Sequence, residues 1–397
     1  MILGIAEIII GGMLFEWLAR RTRAPGLLGL LLLGIIFGQF ALNLIDPEIY
    51  TVASELRMVA LVVILYRAGF EMNRRALQQV GTRAVLIAFI PCLCEIALIT
   101  LAAPLLLPLS THEAAMLGAI LAAVSPAVVV PYMIQFSREG IGTAKGIPTL
   151  VLAGAACDDA VAIVLCSALT AAYTGSTVST WARVGSIPLS IITGVATGLG
   201  VGYLLYQFFK RTNPRATKRL LTLLALAIML ISAQQHIENW LPYSALMTVL
   251  TIGIIIYEMD VRVANEISDK LSKLWIFAQL LLFVLVGAQV DIRLVWTAGV
   301  SGCAVIFIGL LARSAGVFLC LTGSHFNRKE RLFIAISYLP KATVQAAIGA
   351  VPLTAMLAAG MDTAPGELIL AVAVLSIITT APLGAFLINQ SGRRLLH

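Results

Sequence analysis

The chain has 397 residues, of which 60% are hydrophobic and only 12% charged, with a mean hydropathy of +0.97. That balance excludes a soluble globular protein and describes a polytopic membrane protein. The formal net charge of +7 comes from lysines and arginines in short loops, where they set membrane orientation, so it does not point to a nucleic acid partner.

Apolar stretches of about 20 residues, the length that crosses a bilayer, can be marked thirteen times: 2–19, 25–45, 54–72, 77–107, 113–136, 147–173, 183–209, 219–237, 242–258, 270–290, 292–323, 331–359 and 366–390. The first begins at Met1 with no basic segment ahead of it, so it reads as a span rather than a cleaved signal. The six cysteines all fall inside these apolar stretches without metal-ligand spacing, and read as small buried residues rather than disulfides.

The connections sort by charge. Arg20, Arg21 and Arg23 follow span one; Arg74, Arg75 and Arg83 surround the start of span four; Arg138 and Lys145 separate spans five and six. Further basic groups follow spans seven, nine, eleven and thirteen, whereas DPEIYTVASE, PLSTHE, HIENWLP and GMDTAPGE contain none. Alternation at every second loop predicts an outside N-terminus and a cytoplasmic C-terminus. Arg67 and Glu71, near the inner end of span three, can snorkel to the surface. His112, His236 and His325 are expected in loops and His397 is terminal, where solvent would account for them.

Spans five and twelve stand apart. Each carries a proline beside polar residues near its middle, Ser125 and Pro126 in one, Pro340, Lys341 and Thr343 in the other. Two six-span units joined by span seven would lie in the membrane in opposite senses, and these interruptions would then occupy equivalent places. Interrupted helices in matching positions of an inverted repeat point to a midplane binding site, where freed backbone dipoles meet an ion.

Charges converge on the same depth. Asp158 and Asp159 lie about eleven residues into span six, roughly 16 Å along a helix at 1.5 Å per residue. Lys341 in span twelve, Arg313 in span eleven and Glu95 in span four lie at comparable depth. Ionisable groups there are costly and mark ion or proton pathways. Neighbours on a helix point about 100° apart, so the two aspartates should have separate roles, one held by a cation and one facing a cavity. A carboxylate that binds either a proton or a hard cation is an exchange mechanism in itself. Glu95 and Arg313 suit a structural ion pair.

Together SPAVVVPYM, KGIPTLVLAGAACDDAVAI and YLPKATVQAAIG closely resemble the cation/proton antiporter superfamily, in particular its NHA-type sodium/proton antiporters with paired aspartates. The resemblance implies an NhaA-like fold: about 13 transmembrane helices, N-out and C-in, in two inverted six-helix repeats with two broken crossing helices. It also implies a homodimer moving Na+ or Li+ against H+ by elevator-type alternating access, with no cofactor and with lipid as the surrounding partner. Scaffold helices would occupy 1–75 and 213–291, the core 76–180 and 292–397, and a linker helix 181–212. By similarity Asp159 is the main ion-binding and proton-exchanging carboxylate, with Asp158 its partner at the metal site. Related antiporters often carry lysine where this chain has Arg313. Arginine does not release a proton, so the resemblance leaves Arg313 to pair with Glu95 and makes Lys341 the basic partner available to Asp158.

Other classes fit less well. A sodium-coupled organic-anion carrier of the same fold needs no adjacent acids. An intramembrane aspartyl protease needs two acids facing each other from separate helices, and a channel needs a filter or charge ring. A K+/H+ antiporter stays open, because selection among alkali cations rests on cavity size and oxygen number. The compact chain suggests a bacterial inner membrane.

Overall fold

The chain is described here from a computed structural model, for residues 2–21, 26–71, 82–175, 180–237 and 240–396. Arg23, Arg74, Arg75 and His397 lie outside these residues. Hydrocarbon offers no partner to a free backbone N–H or C=O, so a spanning apolar stretch must satisfy its own. Every regular element among the described residues is accordingly helical.

In chain order the α-helices are α1 (Ile2–Arg21), α2 (Gly26–Phe37), α3 (Pro47–Thr51), α4 (Ala53–Glu71), α5 (Thr82–Leu106), α6 (Thr111–Leu121) and α7 (Pro126–Glu139), followed by a short 3-10 turn at Thr143–Lys145. Then come α8 (Ile147–Tyr173), α9 (Thr180–Thr212), α10 (Ala216–Ile237), α11 (Ala245–Met259) and α12 (Val261–Ala288). The last are α13 (Ile292–Cys320), α14 (Arg328–Ser337), α15 (Thr343–Ile348), α16 (Val351–Ala358) and α17 (Ala364–Leu395). Of these, α5, α9, α10, α12, α13 and α17 are by themselves long and apolar enough to cross a membrane.

Three boundaries differ from the expectation from hydropathy. The stretch 25–45 is helical only to Phe37; beyond it Leu42, Asn43 and Leu44 donate back to Ile36, Gly38 and Phe37 in tight turns, with Asn43 at φ 48°. Helix α12 starts at Val261 rather than 270, because Asp260 caps it by accepting from the backbone N–H of Arg262 (3.0 Å) and Val263 (3.1 Å). The stretch 331–359 is three helices, α14 to α16.

The helices pack in two groups. One contains α1, α2, α4, α9, α10, α11 and α12; the other contains α5 to α8 and α13 to α17; where the groups touch, α8 meets α4, α9 and α11, and α15 meets α4 and α12. In the first group α2 and α12 approach backbone to backbone. A Cβ on Gly34 would sit 2.2 Å from the Val284 carbonyl oxygen, so only glycine permits that packing.

In the second group four loop regions meet at one end. Lys145 binds Glu330 (2.9 Å) and Arg393 binds Glu139 (3.3 Å), while Arg83 donates to the carbonyls of Cys320 and Thr322. Elsewhere α6 begins with a capping box between Ser110 and Glu113, and Tyr173 at the end of α8 donates its hydroxyl to Glu113.

Candidate ion site

Both helix breaks leave backbone groups that no neighbour in the same helix can satisfy. Helix α6 ends at Leu121 and α7 begins at Pro126, with Ser125 at the N-cap position. Helix α14 ends at Ser337 and α15 begins at Thr343. The two breaks repair each other. Ser125 N donates to Pro340 O (2.9 Å), Thr343 N to Ser125 Oγ (3.4 Å), and the two hydroxyls lie 3.5 Å apart. The structure thus brings Ser125, Pro340 and Thr343 together; Pro126 opens α7 beside them.

Asp158 and Asp159 lie mid-way along α8 against this crossing, 0% and 2% exposed. The backbone N–H of Val124, inside the first break, donates to Asp158 Oδ2 (3.2 Å). Arg313 comes from α13, which packs closely on α5: a Cβ on Gly316 would lie 2.8 Å from Pro91 Cα. That approach sets Arg313 opposite Glu95.

The guanidinium binds two acids at once. Its Nε donates to Glu95 Oε2, while Nη1 and Nη2 reach Asp158 Oδ2 at 3.1 and 3.0 Å. The planar fork makes this possible. Lys341 Nζ donates to the same Glu95 Oε2 at 2.8 Å. The expectation that Lys341 pairs with Asp158 is therefore corrected. Lys341 sits in the non-helical break, its N–H tied to Thr380 Oγ1 (2.9 Å), and from there its ammonium meets Glu95 while Arg313 takes Asp158.

The result is a chain of four groups, Lys341, Glu95, Arg313 and Asp158, with two negative and two positive charges. All are at most 1% exposed. Asp159 stands outside it. Neither of its carboxylate oxygens has a hydrogen-bond partner among the described residues. A buried carboxylate without a partner costs several kcal/mol when ionised, on the order of magnitude seen for isolated charges. A proton or a monovalent cation removes that cost.

Among the described residues no three of His, Cys, Asp and Glu cluster as a metal site. A cation at Asp159 would therefore draw its remaining oxygen ligands from hydroxyls, carbonyls or water. Two residues that sequence reasoning passed over belong to the same region, Thr380 and Gln345, which donates from Nε2 to the carbonyls of Ile120 (3.0 Å) and Ala123 (2.9 Å). The available signal was a polar amide inside an apolar run, four residues after Lys341.

A profile of the family described as sodium/hydrogen exchanger, transmembrane, matches residues 8–389. Human sodium/hydrogen exchanger 9B2 is 36% identical over 399 residues, covering 98% of this chain and 73% of that protein. Human sodium/hydrogen exchanger 9B1 is 31% identical, covering 98% and 76%. The solved structure of the sodium proton antiporter MjNhaP1 from Methanocaldococcus jannaschii superposes with a TM-score of 0.87 over 100% of this chain and 99% of that one, at 22% identity; the two share a fold.

Proposed function

Because the chain belongs to the sodium/hydrogen exchanger family, we propose that it exchanges Na+ or Li+ for H+ across the membrane, with Asp159 carrying either ion in turn. It is a multi-pass membrane transporter, not an enzyme. The observation that carries the assignment to Asp159 is the unpartnered, fully enclosed carboxylate beside a charge-balanced network. The four-group network is neutral by itself, so the site has one surplus negative charge. That charge accepts one proton or one monovalent cation, and the two compete.

One charge in each direction makes the exchange electroneutral. Arg313 retains its proton, and the pairing of Lys341 with Glu95 keeps the ammonium occupied; neither is needed as a proton carrier. Asp158, held by Arg313 and Val124, fixes the wall of the site against which Asp159 works.

The two packed groups of helices support a division into a scaffold, spans one to three and eight to ten, and a mobile core, spans four to six and eleven to thirteen, with span seven as linker. Alternating access would then be an elevator motion of the core against the scaffold. We read the chain as thirteen spans, N-out and C-in, in two inverted repeats, and as a homodimer through the scaffold. The shared end of the basic loops at Arg83, Lys145, Arg331 and Arg393 supports that orientation.

The test is Na+-driven proton movement in proteoliposomes, wild type against Asp159→Asn, with the membrane potential clamped and then released. Exchange in the wild type alone, insensitive to the potential, is the expected result. Retained exchange in folded Asp159→Asn would remove Asp159 from the role given to it.

A further inference from the structure

We propose that Gln345 is a positioning residue for the ion site, acting on Asp158 through the Ala123–Val124 peptide; the inference rests on the exchange reading above. Gln345 is fully buried on α15. Its side chain crosses to the end of α6 and donates from one nitrogen to the carbonyls of Ile120 (3.0 Å) and Ala123 (2.9 Å). These are carbonyls of a helix end cut short at Leu121, for which hydrocarbon supplies no substitute. Its Oε1 has no hydrogen-bond partner among the described residues. Reversing the amide would set that oxygen against two carbonyl oxygens, so the donor orientation is the one the surroundings permit.

The carbonyl of Ala123 and the N–H of Val124 are the two ends of a single planar peptide unit. That N–H is the group donating to Asp158 Oδ2 at 3.2 Å. Gln345 therefore holds one edge of the peptide plane while Asp158 is held by the other. Donation to a carbonyl also polarises the peptide and strengthens the bond its N–H makes. A continuous line runs from α15 through the break of the first crossing helix to the carboxylate on α8. It ties α15 and the first break to α8, the helix that carries Asp159, through neutral donors. The line meets the Glu95–Arg313–Lys341 network at Asp158 Oδ2, which accepts both from the Val124 N–H and from the two terminal nitrogens of Arg313.

Removing the donors frees the peptide to rotate and lets the break and Asp158 drift relative to Asp159. A displacement of order 1 Å is enough to alter a site's performance greatly. The loss should fall on cation binding, because the geometry of the empty site is what changes.

The experiment measures Na+-driven proton movement against Na+ concentration in proteoliposomes, together with thermal unfolding in detergent, for wild type and Gln345→Met. Methionine keeps the length of an unbranched side chain and removes both donors. The expected result is an apparent KM for Na+ raised about tenfold or more, with the maximal rate changed far less. If Gln345→Met gives no folded protein, Gln345→Glu is measured by the same criterion; it keeps the length and offers at most one donor. A KM within about twofold of wild type, whether or not thermal stability falls, marks Gln345 as a helix cap only and overturns the inference. Absence of proton movement in the wild type with Na+, Li+ or K+ would overturn the exchange reading and this inference with it. A normal wild type with an unshifted variant overturns this inference alone.

Discussion

Replacing Arg313 with glutamine tests whether the buried network is held by charge balance. The guanidinium links Glu95 and Asp158. Without it Glu95 keeps Lys341 as partner, but Asp158 keeps only the Val124 N–H. The network then has two acids and one base. Removing one partner of a buried ion pair costs about 3–5 kcal/mol, because the remaining charge is left uncompensated. In the double variant Arg313→Gln with Asp158→Asn, the Lys341–Glu95 pair is neutral again. Its deficit should shrink to lost hydrogen bonds between neutral groups, about 1–2 kcal/mol. Asp158→Asn should therefore recover about 2–3 kcal/mol on the Arg313→Gln background, the difference between the two deficits. Reversible denaturant titration in mixed micelles, followed by tryptophan fluorescence, measures each term. A double variant no more stable than Arg313→Gln, or a single variant within about 1 kcal/mol of wild type, would refute the reasoning.

Glu95→Gln should lower thermal stability more than it weakens Na+ affinity, since Glu95 binds Arg313 and Lys341 and not Asp159; the opposite ranking in paired melting and transport assays would place Glu95 in the transport site. Gly154→Ala puts a Cβ 1.9 Å from Tyr338 Oη and 2.5 Å from Ile87 Cγ2. Such overpacking costs about 1–3 kcal/mol, and because Gly154 lies one helical turn before Asp158 the exchange rate in proteoliposomes should fall with it. Asp260→Ala removes the cap of α12 and should cost about 1 kcal/mol in the same denaturant titration, with unchanged exchange.

Much of the architecture was legible along the chain, because the bilayer imposes a length and a polarity that local composition must obey. The apolar stretch 147–173 is α8 residue for residue, and the prolines at 126 and 340 lie where the helices break. Glu95, Asp158, Asp159, Arg313 and Lys341, all buried, were visible for the same reason: an ionisable group in an apolar run stands out.

Which charge meets which was not legible. Lys341 reached Glu95 rather than Asp158, since its position in a break removes the regular spacing from which a helix neighbour is inferred, and Arg313 proved to bind two acids because its fork spans more than one carboxylate. The end of α2 and the start of α12 also escaped hydropathy, one set by turns around Asn43 and the other by the Asp260 cap. Gln345 was hidden because an amide becomes informative only when its donors meet particular carbonyls from another element. Composition and the length of the apolar stretches therefore determined the membrane class, most helix limits and the depth of the charged residues, each a property of a residue and its chain neighbours. Tertiary structure alone decided that four of those charges neutralise one another and that Asp159 is left over, because pairing depends on distances between atoms far apart in sequence.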